Sequence, residues 1–327
     1  MTMRTYIASA AVVICTRDRP ELLDRCLAAV FRQDYPKLDV LVVDNMPKDA
    51  RSWEIAKRWG VRYIMEPAPG LSRGRNCGAR SCNTEIIAYV DDDAIPERGW
   101  LSSLAREFED PLVMAVTGQI RALSMENDAE RLHAMIGRTK LGGEERRAID
   151  SASAEWFEMA NFGGIGNGGN MAFRRSAFEI WPGFDERLGR GALLDGGEEH
   201  YAFFSLIDRG YRIVYTPRAV VWHPYPSTRN DIQARYLKDL ADSTGYMTLL
   251  FMEEPRYRRA TMKYIIGGIR GVERTWRYPS GGPRPPRPRI VRFWRTMLAY
   301  LSGPLLYIRL RLAGQWKGVR GILDSVS

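Results

Sequence analysis

Residues 86–94 read Ile-Ile-Ala-Tyr-Val-Asp-Asp-Asp-Ala, an unbroken apolar run that leads directly into three aspartates. Such a run is typical of a strand buried on both faces of a parallel sheet. Three carboxylates at a strand end repel one another unless a cation or hydrogen-bond donors neutralise them. Oxygen ligands of this kind suit Mg²⁺ or Mn²⁺. Taken alone, the triplet is equally compatible with a solvated acidic turn, so the surrounding sequence has to decide.

The sequence on both sides of this run alternates between strand-like and helix-like segments. Short apolar runs predict three earlier strands, at residues 10–15, 40–43 and 61–65. Helical spacing of apolar residues predicts helices between them, at residues 20–31, 52–59 and 72–82. This alternation favours βαβ units in an open, mostly parallel sheet flanked by helices. The loops at the carboxyl ends of such strands are available to a ligand.

The pattern continues more sparsely beyond residue 100. We predict helices at 100–109 and 201–208, and strands at 113–118, 171–175, 211–215 and 219–222. Pro217 separates the last two strands, and residues 124–154 have no assignable pattern. From Arg229 the sequence turns helical, apart from a proline- and arginine-rich segment near 278–289. The fold class expected is therefore α/β over residues 1–228, followed by a basic helical extension over residues 229–327.

Composition bounds the class of protein. The chain has 327 residues, of which 45% are apolar and 27% charged, as in soluble globular proteins. That length predicts two compact units, or one α/β domain with an appendage, and needs no disulfide or metal to fold. The four cysteines form no C-x-x-C pair, so we expect reduced thiols in a cytoplasmic protein. Neither a signal peptide nor a transmembrane stretch is recognisable, which favours the same location.

Basic residues are concentrated towards the C-terminus. Residues 256–327 hold 16 Lys and Arg against 2 Asp and Glu, whereas the whole chain has a net charge of +9. Within this region, residues 290–318 mix arginines with aromatic and aliphatic residues, which suits peripheral contact with an anionic membrane surface, such as the inner face of the cytoplasmic membrane. The alternative is a helical pair packed on the catalytic domain with a solvated basic face. No nucleic-acid module accompanies the charge, so no nucleic-acid partner is expected.

Several motifs, in order along the chain, resemble family 2 glycosyltransferases of the GT-A fold. Residues 70–79 (GLSRGRNCGA) and 86–94 look like the family's donor site with its DXD-type motif. The other matching segments are 10–18 (AAVVICTRD), 42–45 (VVDN), 170–176 (NMAFRRS), 183–186 (GFDE), 196–200 (GGEEH) and 219–223 (AVVWH). The resemblance covers residues 10–223. It implies a nucleotide-sugar half at 1–105 and an acceptor half at 106–228.

The resemblance also implies roles for individual residues. Those expected to bind the donor nucleotide are Thr16, Arg17, Asp18, Asp44, Arg73, Arg75, Asp91 and Asp92. Asp44 would accept a hydrogen bond from the base, and Asp91 would lie near the ribose. Asp93 and His223 would hold the metal, Mg²⁺ or Mn²⁺. Arg73 and Arg75 are assigned to the diphosphate from their position alone.

The acceptor side rests on a glutamate pair and a glycine-rich loop. Glu199 occupies the place where the family usually has an aspartate that acts as general base. Because the sequence has Glu-Glu instead of Glu-Asp, either Glu198 or Glu199 could be that base; the two are also compatible with an acidic first helical turn. Gly168, Gly169 and Asn170 are the acceptor-side candidates, because glycines let the backbone approach a substrate closely.

Together these residues predict a metal-dependent, inverting glycosyltransferase. A carboxylate base would activate the acceptor hydroxyl, and a divalent ion would neutralise the leaving nucleoside diphosphate. The acceptor would be a glycan, a lipid-linked saccharide or a small molecule.

Two alternatives stay open at this stage. One is a sugar nucleotidyltransferase, although its usual glycine-rich loop after the first strand is absent. The other is a nucleotide-sugar-binding protein without transfer activity.

Overall fold

The computed structural model describes residues 7–127, 130–131, 143–225, 228–269 and 293–324. The chain forms two compact units. The first comprises Met1–Glu186 and Glu198–Ser227, and the second comprises Arg187–Gly197 and Thr228–Ser327. The proline- and arginine-rich segment expected near 278–289 lies outside the described residues.

One mixed sheet forms the centre of the first unit. Its strands are β1 (Ala10–Thr16), β2 (Leu38–Asn45), β3 (Arg62–Glu66), β4 (Ile86–Asp91), β5 (Ile95–Pro96), β6 (Val113–Ala122), β7 (Arg147–Ile149), β8 (Asn170–Arg174) and β9 (Arg212–His223). They are ordered β3-β2-β1-β4-β8-β6-β9-β5, and β7 pairs with β9. The helices of this unit are α1 (Pro20–Val30), α2 (Arg51–Trp59), α3 (Leu71–Arg80), α4 (Trp100–Arg106), α5 (Trp156–Asn161), α6 (Ala177–Ile180) and α7 (Glu198–Asp208). A single 3₁₀ turn, Glu107–Glu109, follows α4.

The four strands expected in the first hundred residues are present and pair in parallel. In the β1–β2 register Thr16 lies beside Asp44, and in the β1–β4 register Cys15 lies beside Asp91. Burial explains the composition, because β1 and β4 are apolar runs covered on both faces. The parallel arrangement therefore brings the polar ends of three strands to one edge of the sheet.

The other half of the sheet is mixed, because β8 runs antiparallel to both β4 and β6. The predicted break at Pro217 is wrong, since β9 is one continuous strand. Its register against β6 shifts between the pairs Gly118–Thr216 and Gln119–Val220, so residues 217–219 form a bulge. Proline lacks the N–H that a ladder needs, and a bulge accommodates it without ending the strand.

Helix α3 lies unusually close to the sheet because of two glycines one turn apart. A Cβ at Gly78 would come 2.5 Å from Val13 Cγ1, and one at Gly74 would come 3.3 Å from Cys15 Sγ. The absence of side chains there lets the helix backbone approach β1 directly. Arg75 lies between the two glycines in sequence, and its guanidinium comes within 3.9 Å of Asp91 at the end of β4.

The second unit is helical, as expected from Arg229 onwards. It contains α8 (Arg229–Glu253), a 3₁₀ turn (Pro255–Tyr257), α9 (Arg258–Ile269) and α10 (Phe293–Asp324). Helices α8 and α10 cross where Gly303 meets Gly245, because a Cβ on Gly245 would come 3.2 Å from the Gly303 carbonyl oxygen. Within the described part of the chain, no helix is long and apolar enough to cross a membrane.

The segment Arg187–Gly197 belongs to this helical unit, although the sequence places it within residues 1–228. Arg187 forms a two-pronged ion pair with Glu253, with both N–O distances 2.8 Å. Asp195 forms an ion pair with Lys238. These are contacts between residues far apart in sequence, which local patterns do not reveal.

Candidate active site

The ends of β4 and β9 bring together three side chains that could hold a metal ion. One potential ligand atom from each of Asp91, Asp93 and His223 lies within 4.8 Å of the other two. His223 Nε2 is 3.1 Å from an oxygen of Asp93 and 4.0 Å from one of Asp91. The sequence assigned Asp93 and His223 to the metal. The structure adds Asp91 to their cluster.

The orientation of His223 suits a ligand. Its Nδ1 lies 2.7 Å from the carbonyl oxygen of Pro224, which favours the tautomer with hydrogen on Nδ1 and leaves Nε2 facing the carboxylates. Burial lowers the pKa of His223, but hydrogen bonding to Asp93 and the charges of Asp93 and Asp91 raise it overall. Two carboxylates and an imidazole form a donor set that fits Mn²⁺ or Mg²⁺ with open positions for phosphate and water.

Asp92 is not a member of this cluster. Its carboxylate accepts a hydrogen bond from Thr16 Oγ1 at 2.7 Å and one from Arg19 at 3.2 Å. Burial, followed by the charges of the neighbouring aspartates, raises the pKa of Asp92 to about 6, although Thr16 and Arg19 lower it. Thr16 and Asp92, both predicted to bind the nucleotide, are thus buried against each other and join β1 to the end of β4. Arg19, which the sequence did not identify, also contacts Asp93 at 3.2 Å.

The ends of β1 and β2 form a second polar region, where the base was expected. Asp44 is fully buried, and its Oδ2 accepts a hydrogen bond from the Tyr63 hydroxyl at 3.0 Å. Its Oδ1 has no hydrogen-bond partner among the described residues. Burial raises the pKa of Asp44, although hydrogen bonding from Tyr63 and from Ser52 lowers it; the Ser52 contact does not meet the distance and angle criteria of a hydrogen bond to Oδ1. An N–H donor from a ligand base would satisfy Oδ1, since a buried acceptor without a partner is costly.

The loops after these strands are held in unusual conformations. Asp18 and Met46 both have left-handed backbone, with φ of 54° and 53°, a region that non-glycine residues rarely occupy and that is common at functional sites. Asp18 accepts a hydrogen bond from the Lys48 amide at 3.0 Å. Its neighbour Arg17 is partly buried. The two loops are therefore joined at the edge where the donor nucleotide was expected.

Asn45 is a further residue that helps to shape the site and that the sequence did not identify. Its side chain donates to the Ala68 carbonyl at 2.7 Å and accepts from the Gly70 amide at 2.9 Å. It therefore holds the loop that starts α3. Arg73, which the sequence assigns to the diphosphate, forms an ion pair with Glu186 at 2.7 Å.

Arg75 links the cluster to the glutamate pair. Its guanidinium is buried and contacts Glu198 at 2.7 Å and the Gly168 carbonyl oxygen at 2.9 Å. It also lies 3.9 Å from Asp91. Arg75 therefore connects Asp91, at the end of β4, with Glu198, at the start of α7.

The two glutamates at the start of α7 are both buried but differ in their partners. Glu198 is paired with Arg75, whereas a Glu199 oxygen lies 3.4 Å from the Gly168 amide. Burial and the charge of Glu199 raise the pKa of Glu198 to about 7, against the effect of Arg75. Burial also opposes ionisation of Glu199, but the charges of His200 and Arg75 outweigh it and lower its pKa. The pKa of Glu199 is therefore shifted in the direction that favours its carboxylate form.

The glycine-rich loop lies against both parts of the site. A Cβ at Gly169 would come 2.6 Å from Asp91 Oδ2, and one at Gly168 would come 3.0 Å from Arg75. Only glycine allows this approach without displacing those side chains. Gly168 and Gly169 therefore connect the carboxylate cluster with Glu199.

Asn170, assigned to the acceptor side, has its side chain inside the sheet. Its side chain is fully buried, accepts a hydrogen bond from the Trp100 indole at 2.7 Å, and donates to the carbonyls of Gln119 and Ala219 at 2.9 and 2.8 Å. Its amide is thus occupied in holding β8, β6 and β9 together. Within the predicted acceptor set, the structure leaves the two glycines beside the site.

Asn76 is another residue that helps to hold the site together and that the sequence did not identify. Its side chain donates to the Phe184 carbonyl and accepts from the Phe184 amide, both at 2.8 Å. This pair of bonds fastens residues 183–184 to helix α3.

The sequence matches a known protein family and several proteins named as glycosyltransferases. The family model "Glycosyl transferase family 2" matches residues 11–181. A pre-mycofactocin glycosyltransferase of Mycobacterium tuberculosis is 31% identical over 203 residues, which cover 61% of this chain and 40% of that protein. An N-acetylglucosaminyltransferase of Rhizobium leguminosarum bv. viciae is 28% identical over 249 residues, 73% of this chain and 56% of that protein. The chain thus spans about half the length of these relatives.

Among solved structures, the mannosyltransferase PcManGT from Pyrobaculum calidifontis, in complex with GDP-Man and Mn²⁺, has a TM-score of 0.56. It is 18% identical and the match covers 98% of this chain and 80% of that one. At this identity the likeness shows the shared fold, and it confirms the expected GT-A architecture. The family match across more than half of the sequence confirms the resemblance as well, and the chain belongs to glycosyl transferase family 2.

Proposed function

We propose that this protein transfers a sugar from a nucleotide-diphosphate sugar to an acceptor hydroxyl, with Mg²⁺ or Mn²⁺, in one displacement that inverts the anomeric centre. The observation that carries the proposal is the juxtaposition of two groups at one sheet edge. Asp91 of the Asp91–Asp93–His223 cluster lies against Gly169, and Glu199 contacts the amide of the adjacent Gly168. A metal site and a base next to each other are what glycosyl transfer to a hydroxyl requires.

The comparisons support the class of reaction. The two curated relatives are named for glycosyl transfer. The structural neighbour was solved with GDP-Man and Mn²⁺, which supports a nucleotide-sugar donor and a divalent ion here. Because the relatives extend well beyond the matched region, the sugar and acceptor they use are not carried over to this chain.

Asp91, Asp93 and His223 are the residues that would hold the ion. When bound there, a divalent ion neutralises charge on the diphosphate as it leaves. On the protein's side, Arg75 adds a fixed positive charge within 3.9 Å of Asp91. The guanidinium also holds Glu198 in place. Its positive charge reduces the repulsion between the buried carboxylates, because an opposite charge nearby favours the ionised form of a carboxylate.

Glu199 is the general base in this proposal. Its pKa is held below the ordinary value, so at neutral pH its carboxylate can accept the proton of the acceptor hydroxyl. The acceptor oxygen then forms a bond to the anomeric carbon while the bond from that carbon to the diphosphate oxygen breaks. A base on the face opposite the leaving group favours attack from that face, which inverts the configuration. Glu198, paired with Arg75, positions the arginine.

The stereochemistry of the product tests the displacement. With Mn²⁺, α-linked UDP- and GDP-sugars and a panel of p-nitrophenyl glycosides as acceptors, we expect a β-linked product together with free nucleoside diphosphate. NMR of the isolated product measures the one-bond C1–H1 coupling, which distinguishes the anomers. A product that keeps the α configuration would rule out single displacement. In a separate reaction with a nucleoside triphosphate and a sugar 1-phosphate, release of pyrophosphate would instead indicate nucleotidyl transfer.

A further inference from the structure

Helix α10 of the second unit carries an uninterrupted apolar stripe on its exposed side. Six large apolar side chains spaced three or four residues apart form it, and each is between 51% and 75% exposed. These are Trp294, Leu298, Leu301, Leu305, Ile308 and Leu312. At 3.6 residues per turn they share one face over about five turns. Soluble proteins rarely leave so continuous an apolar surface in contact with water, so the stripe indicates an interaction site.

The opposite face of α10 is already used for packing. Gly303 is buried against α8 beside Gly245. Tyr307 is 3% exposed, and its hydroxyl donates to Glu253 at 3.0 Å. These contacts fix the rotation of the helix about its axis. The apolar stripe is therefore the outward face of an anchored helix.

Arginines border the stripe. Arg295, Arg309 and Arg311 are exposed, and helical periodicity places the first two along one edge of the stripe and the third along the other. Arg311 also lies 3.8 Å from Glu253. Over residues 256–327 the sequence has 16 basic and 2 acidic residues, and among the described residues the three arginines at the edges of the stripe can attract anionic groups. An apolar face edged by arginines is the arrangement found in helices that lie in the interface of anionic bilayers.

We propose that α10 docks the protein on an anionic phospholipid surface, with its apolar stripe inserted among the lipids and Arg295, Arg309 and Arg311 at the headgroups. The helix lies in the plane of the interface, because its other face is occupied by α8. Such a surface corresponds to the inner face of a cytoplasmic membrane. This docking is independent of sugar transfer, and its test uses neither donor nor metal.

Vesicle cosedimentation of the full chain tests the proposal. We expect binding to phosphatidylcholine vesicles that contain phosphatidylglycerol, weakened by high salt because charge attraction is screened. Leu301→Gln combined with Leu305→Gln should weaken binding at least about tenfold, since two buried leucines are lost from the lipid. Arg309→Gln should weaken it about fivefold. Leu112→Gln combined with Leu123→Gln, two exposed leucines of the first unit, is the matched control and should bind like wild type.

Trp294, which is 75% exposed, reports insertion directly. Its fluorescence should be quenched by brominated phosphatidylcholine in the vesicles, and Trp294→Phe should remove that part of the quenching. The proposal would be overturned if wild type and the stripe variant (Leu301→Gln with Leu305→Gln) bound the vesicles equally at low salt while circular dichroism showed both to be folded. Absence of cosedimentation at low salt would do the same. So would sedimentation showing a dimer that the stripe variant dissociates, because the stripe would then cover a second copy.

Discussion

Asp93→Ala is expected to lower the rate of sugar transfer about a thousandfold, because a metal at a leaving diphosphate contributes several kcal/mol to transition-state stabilisation. Asp93 lies 3.1 Å from His223 and 3.2 Å from Arg19. Its removal therefore takes away one of the three potential ligands and leaves the other two in place. Initial rates at saturating Mn²⁺, with the thermal midpoint as a check on folding, measure the effect.

Asp34→Ala is the matched control, because Asp34 is 79% exposed and pairs only loosely with Arg98 at 3.7 Å. It should leave both the rate and the thermal midpoint unchanged. A folded Asp93→Ala variant with wild-type activity would remove Asp93 from the metal site. Loss of folding in the variant would be recognised by the midpoint, and Asp93→Asn, which keeps the shape of the side chain, would then serve for the same comparison.

Glu199→Gln is expected to lower kcat by about 10²–10⁴-fold, the contribution of a general base. The amide keeps the size of the side chain and can still lie beside the Gly168 amide, but it cannot accept the proton of the acceptor hydroxyl. Binding of the donor nucleotide should be unchanged, so kcat should fall without a matching rise in the KM for the donor. Steady-state kinetics with the donor varied measures both.

The pH profile separates the roles of the two glutamates. The wild-type rate should be lost as pH falls through the pKa of Glu199, which lies below the ordinary glutamate value, because the base must be ionised. Glu198→Gln should keep this acidic limb with a smaller rate loss, of about tenfold, since Glu198 acts through Arg75. Glu179→Gln, at an exposed position, should match wild type. Equal losses in Glu198→Gln and Glu199→Gln would contradict the assignment of the base.

The parallel half of the fold could be predicted because β1 and β4 are apolar runs buried on both faces. The same reasoning predicts that residues such as Asp44 and Asp91 lie at one edge of the sheet, where parallel strands end. The different partners of Asp92 and Asp93 could not be predicted in this way, because β4 ends at Asp91 and residues 92–93 form a turn.

Other features depend on contacts that local sequence does not encode. Asn170 looks like a loop residue beside glycines, yet its partners Trp100, Gln119 and Ala219 come from distant segments. Arg75 gives no local sign that it will meet Glu198, a residue 123 positions away. Buried polar residues of this kind are recognised only when the tertiary structure shows which groups satisfy them.

Donor binding tests the central claim, a metal-dependent nucleotide-sugar site at the strand ends, most directly. We would measure the thermal stability of the protein with UDP, GDP, dTDP and their sugars, each with Mn²⁺ and with a chelator. At about 100 times its Kd, a ligand adds roughly 2.7 kcal/mol to the free energy of unfolding. We expect stabilisation by one nucleotide that requires Mn²⁺ and disappears in Asp93→Ala. Stabilisation that persists in the chelator, or none with any nucleotide, would contradict it.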